Sequence, residues 1–288
     1  MLVGRVERKD IVTAVDLTMD GLLVLADRLS VTNDFPVALA IGNNIFHLDL
    51  RAQVWAAVTE KLTEQGIIDA TGEIHPEIVD MIYTATRAER TLEGRWFHTA
   101  DEGHMIRFAI CRRDSEHLIM VRGGNRGEKI VLQRISSRVG LAGMVQTIIG
   151  DVKPAPMMTS VMGRAEDIQN AETPDDLYQF GADARSASTL LKAIQNPDSW
   201  VELVVTERLE GGTVSRPEVA AGVLDSPTGR VVSVPKSINN TLYASFTGGS
   251  PDNLARALAE LTTFLPSGTW MPSTPLPDNH DDDSDDYR

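Results

Sequence analysis

One arrangement of apolar and polar positions occurs twice along the chain: four short strand-like runs and then an amphipathic helix, over residues 88–149 and again over 198–266. In the first copy the runs are "RTLEGRWFHT", "HMIRFAICRR", "HLIMVRG" and "KIVLQRI", and the helix is "VGLAGMVQTIIG". In the second they are "WVELVVTERL", "SRPEVAAGVLD", "GRVVSVP" and "NTLYASFT", followed by "SPDNLARALAELTTFLPSG". A unit of this kind cannot bury its apolar faces alone, so the pattern predicts two units sharing a core with approximate twofold internal symmetry.

Ahead of the first unit, "IVTAVDL" at 11–17 alternates as an edge strand does, and Leu22, Leu25, Ala26 and Leu29 repeat at helical spacing behind a Thr18 cap. "PVALAI" at 36–41 is a short apolar run. The next helix carries Leu50, Val54, Val58 and Leu62 on one face with Gly66 past its end, and another starts at Pro76 with Ile78, Met81, Ile82 and Ala85 as its stripe. In the first meander Ile106, Phe108 and Ile110 point one way while Met105, Arg107, Ala109 and Cys111 point the other, which predicts one core face per meander. "ADEG" at 100–103 and "GGNRG" at 123–127 read as hairpin turns.

Between the copies, "DVKPAPMMTSVMGR" reads as a connector. Thr173 followed by Pro174, Asp175 and Asp176 starts a short helix that Gly181 ends, and a second helix from Asp183 aligns Ala187, Leu190, Leu191 and Ile194. The last helix has Ser250 as cap, Pro251 at its first position and a stripe of Leu254, Leu258, Leu261 and Leu265. These readings give a single domain over 1–271 in two halves, about 1–150 and 151–271, and a disordered, Pro- and Asp-rich tail over 272–288.

Charge narrows the partners. Asp plus Glu total 41 against 27 Lys plus Arg, a net charge of -14, which repels phosphate backbones and anionic lipid headgroups. Part of this sits in the tail, where Asp278, Asp281, Asp282, Asp283, Asp285 and Asp286 stand against Arg288, yet the remaining body is still acidic. A single cysteine, Cys111, excludes an internal disulfide and suits a reducing compartment. "MLVGRVERKD" has no apolar run of signal-peptide length, and no segment has the length of uncharged apolar residues that a membrane span needs. The expectation is a cytoplasmic protein that binds no nucleic acid and does not insert into membrane.

Catalytic and metal chemistry find little footing. No pair of the 6 histidines has an HxH or HExxH spacing. His98 and His104 flank the first hairpin turn, where they read as structural or solvated positions, with a pH-sensitive loop as the other reading. Cys111 has Arg112 and Arg113 beside it, which favours a thiolate, while its place on a strand favours a buried small hydrophobe. Ser250 in "GGSPD" is a helix cap rather than a nucleophile elbow, and "GGNRG" lies between strands rather than before a helix. The Asp run lacks the glycine and terminal glutamate of a calcium loop. No catalytic residue, cofactor or metal ligand is assigned. What remains are apolar residues near turns and edges, Trp96, Phe97, Met105, Ile119, Met120, Leu203, Val205 and Val232, which serve either as core or as a patch that binds a partner.

Several strings go further than pattern. "TLEGRW" (91–96), "GLAGMV" (140–145), "AAGVLDSPTGRVVSVP" (220–235), "LYASFTGG" (242–249) and "LPSGTW" (265–270) closely resemble the EspG family, specific chaperones of mycobacterial ESX, or type VII, secretion. The likeness runs from about Val15 to Trp270, and the tail lies outside it. It implies an α+β fold built as a quasi-twofold duplicated unit, with a central antiparallel sheet flanked by two helical bundles, and a cytoplasmic protein that is not an enzyme. It also implies a partner, a PE/PPE heterodimer bound through the apolar tip of its PPE subunit, and a free protein that is a monomer or weak homodimer. The family's surface combines the sheet, the loop between the early strands of the first meander and the C-terminal helices. Carried over by position, that loop is His98 to His104, which has no long apolar residue at its tip. The residues assigned to partner binding are Phe97, His98, Asp101, Glu102, His104 and Met105 at and beside the loop, with Phe97 and Met105 as the expected anchors, Val232 on the sheet, and Ala257 and Glu260 on the last helix. An enzyme with an unrecognised site and a homo-oligomeric adaptor are the alternatives.

Overall fold

A computed structural model of the chain describes residues 12–42, 45, 47–100, 105–124, 128–239 and 241–271. The first half runs β1 (Ala14–Thr18), α1 (Met19–Arg28), α2 (Leu48–Glu64), α3 (Pro76–Thr86), β2 (Arg90–His98), β3 (Met105–Arg113), β4 (Glu116–Gly123), β5 (Lys129–Ile135) and α4 (Gly140–Ile149). The second runs β6 (Val161–Gly163), α5 (Ala165–Gln169), a 3-10 turn (Pro174–Phe180), α6 (Ala184–Gln195), β7 (Ser199–Arg208), β8 (Val214–Ser215), β9 (Ala221–Ser226), β10 (Gly229–Ile238), β11 (Thr241–Gly248) and α7 (Pro251–Thr262). The tail and the tips of the first meander's two hairpins, at 101–104 and 125–127, lie outside the described residues. β6 falls inside the stretch that sequence reads as a connector.

Among the described residues the strands form one 11-stranded antiparallel sheet in the order β1-β5-β4-β3-β2-β7-β9-β10-β11-β6, with β8 paired to β7. Reading inward from either edge gives the same sequence of parts. The halves join where β2 pairs with β7, from Arg90 opposite Glu207 to His98 opposite Ser199. The local twofold axis therefore passes through the Gly94–Leu203 pair, which makes Glu93 the counterpart of Glu202 and Thr91 that of Trp200. A side chain at Gly94 would force a shift: its Cβ would lie 2.1 Å from Cζ of Phe108 on the neighbouring strand.

Both faces of the sheet carry buried cores, where alternation predicts one. Leu92, Phe108, Ile110, Leu203 and Val232 pack under α4 and α7 on one face. On the other, Ala109, Cys111, Leu118 and Met120 lie under α1, α2 and α3, while Val231, Ala244 and Phe246 lie under α5 and α6. Helices on both sides remove the solvated face that a two-layer fold keeps, so both parities of strand residues are apolar. The helix starts follow their caps: Thr18 accepts the Gly21 N–H at 3.0 Å, and Asp183 and Ser250 do the same for α6 and α7. In α2, Leu62 alone of the predicted stripe is fully buried, and Leu50 is 50% exposed. The apolar run "PVALAI" makes a 3-10 turn (Val37–Leu39) inside a strap, Phe35–Ala40, that crosses the sheet beside β2 and β3.

Candidate functional site

The face that carries Glu93 and Glu202 is covered at its two ends by different helices, and its middle is left to β2 and β7. On the second-half side of that middle lies a groove of about 880 Å³. Strand alternation puts Trp200, Glu202 and Val204 of β7 along it, with Gly222 and Leu224 of β9 and Ser233 of β10 beyond. Leu242, Ala244 and Phe246 of β11 wall one side, and Ile194 and Pro197 close the end of α6. Two of these apolar groups stand open to water, Trp200 at 40% and Leu242 at 46%. Arg95 reaches across from β2 to Glu202 at 2.8 Å.

At the mouth, Phe97 stacks on Trp200, with ring centroids 3.9 Å apart and planes 15° from parallel. Met105 is the register partner of Phe97 on β3. The three make a half-exposed apolar rim at the end of β2 that carries Phe97.

On the first-half side the corresponding space holds the strap. Glu93, 2% exposed, accepts the Ala38 N–H at 2.7 Å and the Arg216 guanidinium at 2.8 Å. Arg107 donates to the Ala38 carbonyl at 2.8 Å, and Arg122 donates to that of Leu39 at the same distance.

The residues that sequence and resemblance assign to partner binding do not all gather here. Phe97 and Met105 lie on the groove face. His98 points to the opposite face, its ring 4.3 Å from that of Trp96. Asp101, Glu102 and His104 lie outside the described residues. Val232 and Ala257 require correction: both are 0% exposed in the core between the sheet and α7, so neither side chain can meet a partner. Glu260 is half-buried on α7, over the face opposite the groove, and α7 leads into a segment held at Glu207 and Arg90, the far end of β2 from Phe97. Sequence reading misses Trp200, Glu202, Arg95 and Leu242. Their outward parity is readable, but nothing in the sequence says that β7 lies against β2.

The remaining chemistry is structural. Burial, reinforced by the charge of Glu93, pushes the Cys111 thiol up, against the thiolate that a nucleophile needs. Among the described residues, no group of three or more His, Cys, Asp and Glu side chains is placed to hold a metal ion, and no helix is long and apolar enough to cross a membrane.

Comparison with known proteins agrees with this architecture. The model of the EspG family matches residues 18–260. The ESX-1 secretion-associated protein EspG1 of Mycolicibacterium smegmatis is 44% identical over 265 residues, covering 92% of this chain and 92% of that protein. EspG1 of Mycobacterium tuberculosis is 43% identical over 271 residues, covering 94% of each. Among solved structures, the Mycobacterium tuberculosis type VII secretion system chaperone EspG5 in complex with the PE25-PPE41 dimer matches with a TM-score of 0.71 at 16% identity, over 90% of this chain and 99% of that one, a likeness of fold.

Proposed function

This chain belongs to the EspG family, and we propose that it is a type VII secretion chaperone of the ESX-1 kind, which binds a PE/PPE heterodimer and covers the apolar tip of the PPE subunit until export. The observation that carries the proposal is identity of 43% to 44%, along nearly the whole chain, to ESX-1 secretion-associated proteins. The groove supplies a physical means. An apolar tip exposed to water aggregates, and a groove that exposes Trp200 and Leu242, with Phe97 and Met105 beside Trp200, replaces that water with apolar contact. A folded partner held this way is also stabilised by mass action. The protein acts in the cytoplasm as a binder and not as an enzyme, and its net charge of -14 disfavours nucleic acid.

Co-expression with PE/PPE pairs from the same genome, followed by size exclusion, tests this. The expected result is a stable complex holding one copy of each chain; failure with every pair overturns the proposal.

A further inference from the structure

The twofold axis at Gly94–Leu203 relates two carboxylates with different surroundings. Glu93 and Glu202 each lie one residue before the axis on their own strand. Each has a small residue beside it across the sheet, Ala109 next to Glu93 and Gly222 next to Glu202. Above the first row sits the chain's own strap. Pro36 opens its 3-10 turn, the leading N–H groups of such a turn have no partner within it, and the Glu93 carboxylate takes that of Ala38. Phe35, Ala38 and Leu39 are buried by this docking. Among the described residues no strap lies above the second row, and the equivalent space is the groove. There Glu202 is held by Arg95 and its side chain remains 40% exposed, against 2% for Glu93.

We infer that the strap is a built-in example of how the second half takes its partner: the groove receives a short apolar helical turn, whose leading backbone N–H groups donate to the Glu202 carboxylate while its small apolar side chains rest on Gly222, Trp200 and Leu224. Two physical arguments support this occupant. Anything that covers the groove buries Glu202, and a buried carboxylate must be given donors. The start of a helical turn carries both unpaired N–H groups and positive partial charge, so it complements the carboxylate in hydrogen bonding and in sign. The inference rests on the chaperone reading and assigns the turn to the tip of the PPE subunit.

Two variants test it. Glu202→Ala removes the acceptor. Gly222→Leu fills the floor of the groove, and its Cβ meets only the Cβ of Ser233, at 3.4 Å, an ordinary contact that the fold tolerates. Affinity for a purified PE/PPE heterodimer is measured by calorimetry, with the thermal midpoint of each variant alongside. Loss of the acceptor is expected to weaken binding about 10- to 100-fold, the weight of a charge-assisted hydrogen bond, and Gly222→Leu to weaken it by about 100-fold or more, both with an unchanged midpoint. Wild-type affinity in either variant overturns the inference while the chaperone reading stands, because the partner would then bind without capping Glu202 or without entering the groove. A groove that instead holds a second copy of this chain would appear as a dimer that Gly222→Leu dissociates with PE/PPE binding intact, and this too overturns it. Should Gly222→Leu fail to fold, Glu202→Ala decides alone. If the wild-type chain binds no PE/PPE pair, the chaperone reading falls and the inference with it.

Discussion

The indole N–H of Trp270 donates to Nε2 of His117 at 3.1 Å, tying the segment after α7 to β4. Nδ1 of the same ring is 3.1 Å from the Ser115 carbonyl, which can only accept a hydrogen bond, so Nδ1 carries the proton, Nε2 is the acceptor and the imidazole is neutral. Burial lowers the pKa of His117, the Ser115 carbonyl opposes this, and the charge of Arg112 lowers it further.

From this follows a pH dependence with a definite sign. The ring titrates near 6.5 when unfolded and lower when folded, so on acidification the unfolded chain takes up the proton first. The contribution to stability is complete above the unfolded value and is lost as pH falls through the folded one. Thermal midpoints between pH 7.5 and 5 should fall more steeply for the wild type than for His117→Gln, whose side chain does not titrate. Parallel slopes would refute the assignment.

Truncation should show where the folded chain ends in energetic terms. Trp270 is buried in the core, its carbonyl accepts from Arg90 at 3.1 Å, and the Ser267 N–H donates to Glu207 at 2.9 Å. Ending the chain after Met271 keeps these contacts and is expected to leave the thermal midpoint unchanged. Ending it after Ser267 removes a core tryptophan, at a cost of about 3–5 kcal/mol, which corresponds to roughly ten degrees. Differential scanning calorimetry of the two forms makes the comparison.

Charge placed on the rim and charge placed in the core should have opposite consequences. Phe97→Asp and Trp200→Asp introduce carboxylates on half-exposed rings at the groove, where water still reaches them, so circular dichroism should remain native while PE/PPE co-purification is lost. Val232→Asp and Ala257→Asp bury an isolated charge beneath α7, which costs several kcal/mol, and should unfold the protein. A folded Val232→Asp protein would contradict the burial described above.

At the centre of the sheet, Gly94→Ala should destabilise by about 1–3 kcal/mol, because the new methyl overlaps the Phe108 ring. Combining it with Phe108→Leu should cost less than the sum of the single changes, a coupling that urea denaturation of the four proteins of the cycle reads directly. Full additivity would mean that the two side chains do not compete for this space.

What the sequence determined by itself was local. Thr18, Asp183 and Ser250 mark helix starts because a side-chain oxygen can satisfy a backbone N–H two or three residues ahead, wherever the helix later packs. The stripe of Ile78, Met81, Ile82 and Ala85 marks a buried face because 3.6-residue periodicity is intrinsic to the helix. The repeated strand pattern shows the duplication, and the strings from "TLEGRW" to "LPSGTW" point to the family. The tertiary structure alone decided where the two halves meet, which face each helix covers, and hence that Val232 is core while Phe97 is rim. Strand pairing is made by backbone hydrogen bonds, which are the same for every residue type, so no side chain announces that β2 lies against β7. Alternation sorts residues into two faces but cannot say which stretch of a face stays open, and in a sheet buried on both sides each face is apolar. Among the described residues, the groove exists because a strap crosses one half of the sheet and none crosses the equivalent place in the other half, a difference of long-range docking that sequence periodicity does not encode.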